Sequence, residues 1–280
     1  MTLRSALFLP ASNPRAIAKA RMLDSDAVIL DLEDAVAPDA KAGARDAAVA
    51  AVREEGFGER VLVVRTNGFD SPHAAEDLAA LAEACPAAVL IPKVDDVATL
   101  AAARAALGQD VPLWAMIETC RGILSLGAIA QAARELGLTA LIAGTNDLAK
   151  EMRLPSPPAP EALLPLRVQI VVAARSAGLI ALDGVCNALD APDRLAAECA
   201  EGRRLGFDGK TLIHPNQIAA ANTGFGPDAA EIAWARRVVE AFADAEQAAL
   251  GAIRLDGQMV ERLHLTEAER ILALVQRPAE

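Results

Sequence analysis

The chain has 280 residues, a formal net charge of −11 and 53% hydrophobic residues, with no Tyr and two Trp. So acidic a chain lacks the basic face that a phosphate backbone needs, which excludes nucleic acid as an expected partner, and no apolar stretch approaches the roughly 18 residues of a membrane span. The four cysteines, Cys85, Cys120, Cys186 and Cys199, lie far apart without C-x-x-C spacing, which argues against a zinc knuckle or a disulfide framework and leaves them as small buried residues.

The first apolar run, residues 5–9, follows Met1-Thr2-Leu3-Arg4 directly, without the basic start, apolar middle and small-residue cleavage site of a signal peptide, so a cytoplasmic protein is expected. An amphipathic stretch near 14–24 comes next. Apolar runs near 27–32, 61–65, 88–92, 112–117, 139–143, 179–183 and 210–213 then alternate with Ala-rich helical stretches near 39–55, 73–84, 95–107, 121–136, 160–177, 191–205 and 216–222. Such alternation means parallel strands with crossover helices. Eight units point to an α/β fold of the (β/α)8 TIM-barrel kind over residues 1–223, and the dinucleotide fingerprint G-x-G-x-x-G of an open doubly wound sheet is absent after the first strand. The Pro-rich residues 154–160 cannot be helical throughout and read as a loop between the sixth strand and its helix. Past about Gly224 the pattern changes: helical stretches near 228–250 and 266–276 flank Asp256-Gly257-Gln258-Met259-Val260-Glu261, giving a C-terminal helical extension over 224–280.

Chemistry collects at the downstream ends of the strands. The second ends in Asp31, Glu33 and Asp34, the third in Arg65 and Asn67, the fourth in Lys93 and the fifth in Glu118. The sixth runs through Gly144 to Asn146 and Asp147, and the eighth ends in His214. A core strand gains nothing from three carboxylates at its tip, where repulsion raises their pKa values unless a cation compensates. In a TIM barrel, however, catalytic groups come from these ends. Glu118 and Asp147 close neighbouring strands, and two oxygen ligands completed by water and substrate suit Mg²⁺, with Mn²⁺ as a substitute; the competing reading is a helix cap and a turn residue.

Arg65 can grip a carboxylate in a bidentate fork or pair internally with Asp31, Glu33 or Asp34. Lys93 can act as a Schiff-base nucleophile or as an ion-pair partner, and its acidic neighbours favour the pair. Alternation places Asp31 and Glu33 on one side of the extended chain and Asp34 on the other. His214 is a lone imidazole open to a structural hydrogen bond or to acid/base work, while His73 and His264 read as surface residues. Asn13 can cap a helix starting at Pro14, with Arg15 and Lys19 four apart on one face; this is either solvated surface or a phosphate site.

Together, Arg4-Ser5-x-Leu7-Phe8-Leu9-Pro10, Asn13-Pro14-Arg15 with Lys19-Ala20, Asp31-Leu32-Glu33-Asp34-Ala35-Val36, Val64-Arg65-x-Asn67-Gly68, Pro92-Lys93-Val94, Ile117-Glu118-Thr119, Gly144-x-x-Asp147-Leu148 and Ile213-His214-Pro215 are similar to the CitE-like branch of the HpcH/HpaI aldolase superfamily. That family includes citrate lyase β subunits, malyl-CoA and citramalyl-CoA lyases, and related thioesterases and synthases. The resemblance covers essentially the whole chain. It implies a Mg²⁺-dependent barrel, usually a homotrimer, working beside a CoA-type thioester. On it, Glu118 and Asp147 match the metal ligands, Arg65 matches the arginine that holds the substrate carboxylate or keto acid, and the Asn13 to Lys19 region matches the part that receives CoA. Relatives usually carry an aspartate after Gly-x-Met-(Ile/Val) in the extension, where this chain has Glu261.

The implied activity is a Mg²⁺-dependent carbon–carbon lyase cleaving a citryl-, malyl- or citramalyl-type acyl thioester on CoA or an acyl-carrier protein. Arg65 would offset charge on the keto acid, and Asp31, Glu33, Asp34 and Glu261 are further catalytic candidates. A thioesterase or synthase on the same scaffold is the alternative. A silent ligand-binding scaffold is disfavoured, because it would not need Glu118, Asp147 and Arg65 together.

Overall fold

A computed structural model describes residues 3–243 and 250–275. Two compact units are present, Leu3–Phe225 and Gly226–Glu280, the latter described up to residue 275. In the first, strands β1 (Ser5–Pro10), β2 (Ala27–Asp31), β3 (Val61–Arg65), β4 (Ala88–Ile91), β5 (Leu113–Ile117), β6 (Leu138–Ala143), β7 (Ile180–Asp183) and β8 (Gly209–Leu212) close in sequence order. Every neighbouring pair is parallel, and β8 pairs back to β1 through Ala6 and Thr211. The chain is thus a TIM barrel.

Side-chain alternation divides the core in two. Ala27 and Ile29 of β2, Val61 and Val63 of β3, Trp114 and Met116 of β5, and Ala140 and Ile142 of β6 form the cluster inside the barrel. The intervening Val28, Leu30, Leu62, Val64 and Leu141 join the larger cluster beneath the helices. That period of two decides where each strand-end residue points. Asp31, Arg65 and Glu118 are each two residues beyond an inner-core side chain, so they continue the inward row at the barrel mouth.

The helices are α1 (Pro14–Ala20), α2 (Lys41–Glu54), α3 (Ala74–Ala84), α4 (Val97–Leu107), α5 (Cys120–Ala132), α6 (Thr145–Glu151), α7 (Pro160–Ser176), α8 (Pro192–Arg204) and α9 (Ile218–Phe225). Sequence periodicity misses α6, whose seven residues carry Asp147 and precede the Pro-rich loop; seven residues are too few for an apolar stripe to repeat. The expected end of α5 near 136 is also too late, because α5 stops at Ala132 and the chain continues in turns.

The second unit contains α10 (Ala229–Ala243), an antiparallel hairpin of β9 (Ala252–Leu255) and β10 (Gln258–Glu261), and α11 (Arg262–Val275). The hairpin is not anticipated by the helical reading of this extension. Its turn is Asp256-Gly257, with φ of 51° and 81°, the left-handed conformation that an Asp-Gly hairpin turn uses. The last part of the helix expected near 228–250 falls on residues 244–249, and residue 276 of the helix expected near 266–276 also lies outside the described residues. The unit has its own core of Ala235, Val238, Phe242, Ile253, Val260, Ala268 and Ile271.

Candidate active site

Arg65 is the hub of the barrel mouth. Its Nε and Nη2 donate to the two oxygens of Asp31 at 2.6 and 2.7 Å, the paired geometry to which a guanidinium is suited. Its Nη1 lies 2.9 Å from Glu33 Oε2 and 3.4 Å from Asp34 Oδ2. The guanidinium carbon stands 5.0 Å from the Phe8 ring centroid, and Nη1 also faces Met116 Sδ at 3.9 Å. Neither flanking residue stands out in the sequence. Both, however, belong to the inner-core row on which Arg65 sits.

The turn after β2 brings all three carboxylates to that hub. Asp31 accepts the backbone N–H groups of Glu33 and Ala35, both at 2.9 Å, so the chain leaves extended geometry at once. Strand alternation therefore stops at Asp31, and Glu33 and Asp34 both approach Arg65 instead of taking opposite sides. Burial pushes the Asp31 carboxyl up, but the Arg65 hydrogen bonds and charge, aided by the two N–H groups, outweigh it and hold it below the usual carboxylate range. Glu33 is raised: its burial outweighs the opposing pull of Arg65 and Lys93.

Lys93 follows β4 in a left-handed conformation, φ 48°. Its Nζ pairs with Glu33 Oε1 at 2.9 Å, and its backbone N–H donates to Glu118 Oε1 at 2.7 Å. Contact with the Glu33 carboxylate leads the effects that raise the Lys93 ammonium above its ordinary value, so the lysine is a cation and not a free amine.

Glu118 is 2% exposed, deeply buried for a carboxylate at a strand end. Burial pushes its carboxyl up to about 8, with Glu33 and Asp147 adding to the rise against the Lys93 N–H and Arg65. Gly144 makes room for it, since a Cβ there would stand 2.8 Å from Glu118 Oε2. Asp147, in the first turn of α6, is half-buried, and both carboxylates line one cavity of about 310 Å³ with Asp31, Asp34 and Arg65. Phe8, Met116, Val185 and Ile213 give that cavity apolar walls. Among the described residues no group of three or more His, Cys, Asp or Glu forms a metal cage. Two carboxylates at a cavity wall fit an ion that completes its shell with water and substrate oxygens, which is how Mg²⁺ binds.

The other predicted positions are more dispersed. Asn13 caps α1 by accepting from the Ala16 N–H at 3.1 Å, and Arg15 and Lys19 are exposed. His214 is exposed and its Nδ1 accepts from the Asn216 N–H at 3.2 Å, a structural bond. His264, expected at the surface, is half-buried, and its Nδ1 accepts from the Glu261 N–H at 2.9 Å. Cys186 and Cys199 are buried as expected, whereas Cys85 is exposed and Cys120 half-buried. Cys85 terminates α3 in a left-handed cap, φ 53°, which keeps it at the surface.

A second charged cluster escapes the sequence reading. Asp183 accepts from Arg167 at 3.0 and 2.9 Å and lies 3.2 Å from Lys210 Nζ, which also faces Glu198 at 3.4 Å. Asp183 follows Leu182 of the inner row by one residue, so it points outward between β7, β8 and the helices and is structural.

Charged side chains gathered at the mouth of a closed barrel stand where enzymes of this fold carry their catalytic groups. The family described as HpcH/HpaI aldolase/citrate lyase matches residues 4–215, and this chain belongs to it. It is 46% identical over 270 residues to a (3S)-malyl-CoA thioesterase of Cereibacter sphaeroides (strain KD131), covering 96% of this chain and 93% of the relative. It is 33% identical to the citrate lyase subunit beta of Leuconostoc mesenteroides subsp. cremoris, covering 97% of this chain and 92% of the relative. Among solved structures, protein CitE from Mycobacterium tuberculosis in complex with magnesium, acetoacetate and coenzyme A superposes with a TM-score of 0.80 at 31% identity, covering 98% of each chain. The chain is thus a citrate lyase β subunit-like enzyme, and no helix among the described residues is long and apolar enough to cross a membrane.

Proposed function

We propose that this enzyme hydrolyses a malyl-CoA-type thioester in a divalent-metal-dependent reaction, releasing the hydroxydicarboxylic acid and CoA. The observation that carries this reading is the near-full-length likeness to (3S)-malyl-CoA thioesterase, stronger than the likeness to the citrate lyase subunit. Glu118 and Asp147 would hold Mg²⁺, or Mn²⁺ in its place. When bound, such an ion polarises a carbonyl and acidifies a neighbouring water or hydroxyl.

The remaining steps belong to the chain's own residues. The Nε and Nη2 edge of Arg65 is committed to Asp31, so a substrate carboxylate approaches the Nη1 end. The Asp34 contact is the one to yield, being the longest of the four at 3.4 Å and made by a side chain that is 62% exposed. Of the carboxylates, Glu33 best fits the proton-carrying role: it is raised by burial, while Asp31 is held ionised. Asn13, Arg15 and Lys19 are assigned to the phosphates of the CoA carrier or of a carrier-protein arm.

A second reading, carbon–carbon cleavage of a citryl-, malyl- or citramalyl-type thioester to a keto acid and an acetyl thioester, is favoured by the citrate lyase relatives, and the synthase is its reverse. Residues 224–280 are assigned to a homotrimer's lid that brings Glu261 to a neighbouring subunit's site. The test is consumption of malyl-, citramalyl- and citryl-CoA by the purified chain with Mg²⁺ and with EDTA. Thioester loss that needs Mg²⁺ supports the proposal, and loss of equal rate in EDTA overturns it.

A further inference from the structure

Glu33 is in an unusual position. Its two oxygens are buried, lie 2.9 Å from Arg65 Nη1 and 2.9 Å from Lys93 Nζ, yet make no aligned hydrogen bond. Ion pairs without alignment hold direction poorly, because Coulomb attraction depends on distance far more than on angle. Something else must fix the backbone that carries this side chain.

Lys41, the first residue of α2, supplies that restraint. Its Nζ donates to the carbonyls of Leu32 and Glu33, both at 2.9 Å. From the other side Asp31 takes the N–H groups of Glu33 and Ala35, and the Glu33 carbonyl also accepts from the Val36 N–H at 3.1 Å. The turn between β2 and α2 is therefore clipped on its donors by a carboxylate and on its acceptors by an ammonium. Lys41 does not line the cavity; its reach into the site runs through the backbone carbonyls of Leu32 and Glu33.

We infer that Lys41 is a positioning residue that sets the Glu33 carboxylate between Arg65 and Lys93. The inference rests on the functional reading for its kinetic arm only. Removing the ammonium frees two carbonyls and lets the turn relax, and a shift near 1 Å at a proton-carrying group costs on the order of a hundredfold in rate.

The test is a double-mutant cycle on the full chain with Mg²⁺ and malyl-CoA, joined to hydrogen exchange of the peptide spanning residues 31–36. Lys41→Met is expected to lower kcat by about 10- to 100-fold with KM within about threefold, and to speed exchange of that peptide. Lys41→Arg, which can still donate to both carbonyls, is expected to restore most of kcat. In a Glu33→Gln background, Lys41→Met is expected to cost less than about threefold, because the group it positions is already disabled. A full additional loss there, or wild-type kcat in Lys41→Met, overturns the inference. If Lys41→Met does not fold, Lys41→Arg and Lys41→Gln carry the cycle, and equal kcat in those two overturns it. If the wild type consumes no malyl-CoA, the functional reading fails separately. Exchange then decides the clamp: unchanged protection of residues 31–36 in Lys41→Met refutes it.

Discussion

Removing the charge of Glu118 should make the metal-free barrel more stable at high pH while abolishing its affinity for metal. The carboxyl is raised from its ordinary 4.5 to about 8, chiefly by burial. A group whose folded pKa exceeds its unfolded value adds stability that is complete below the unfolded pKa and is lost as pH rises through the folded one. The apo enzyme should therefore weaken between about pH 4.5 and 8, the window those two values set. The full shift corresponds to about 5 kcal/mol, and water entering from the cavity relaxes part of it, leaving about 2–4 kcal/mol. Glu118→Gln keeps an acceptor for the Lys93 N–H and removes the ionisation. Denaturant unfolding of the barrel in EDTA should show the variant equal to wild type near pH 5 and about 2–4 kcal/mol more stable near pH 9. Adding Mg²⁺ should stabilise wild type alone. Its affinity there should fall about tenfold per pH unit below 8, because the ion must displace the Glu118 proton. Equal stability of the two proteins at both pH values, or intact Mg²⁺ binding by the variant, would refute the reasoning.

Arg65→Lys keeps the charge but loses the fork to Asp31, and should cost about 2–4 kcal/mol of transition-state stabilisation in kcat/KM; near-normal turnover would assign Arg65 to structure. Gly144→Ala drives a methyl into Glu118 Cβ and to 2.8 Å from its Oε2, so it should weaken Mg²⁺ binding at least about tenfold and also lower barrel stability, as calorimetric titration and denaturant unfolding can show. Asp183→Ala removes the carboxylate that Arg167 and Lys210 share, leaving each with one partner, Glu201 and Glu198, and should cost about 2–3 kcal/mol of stability, read by denaturant unfolding, with metal affinity unchanged. Truncation before Asp256 should abolish most activity and lower the mass of the assembly seen by light scattering; a fully active monomer would refute the lid.

The barrel is legible in the sequence because most strands are apolar runs with turn residues on either side, β8 with its Lys210 and Thr211 being the exception, and its strand-end charges are legible because parity continues the inner row. Asp31, Arg65 and Glu118 are three such continuations. What parity cannot give is geometry past the last strand hydrogen bond. Asp34 joins Arg65 only because Asp31 accepts two N–H groups and folds the chain back. The depth of Glu118 depends on a glycine 26 residues away making room, a through-space relation with no local signature. Asp183 is charged, strand-terminal and yet outward-facing, so charge at a strand end does not by itself mark the site. The hairpin of the extension is signalled by Asp256-Gly257, but its strands of four residues are too short for period-two alternation to compete with the flanking helices.

The most direct measurement is product analysis by mass spectrometry after incubating the full-length enzyme with (3S)-malyl-CoA and Mg²⁺ in ¹⁸O-labelled water. Hydrolysis predicts free CoA together with malate carrying one label in the carboxyl released from the thioester. Glyoxylate and acetyl-CoA as the accumulating products, with no free CoA and no carboxyl-labelled malate, would contradict it and establish the lyase.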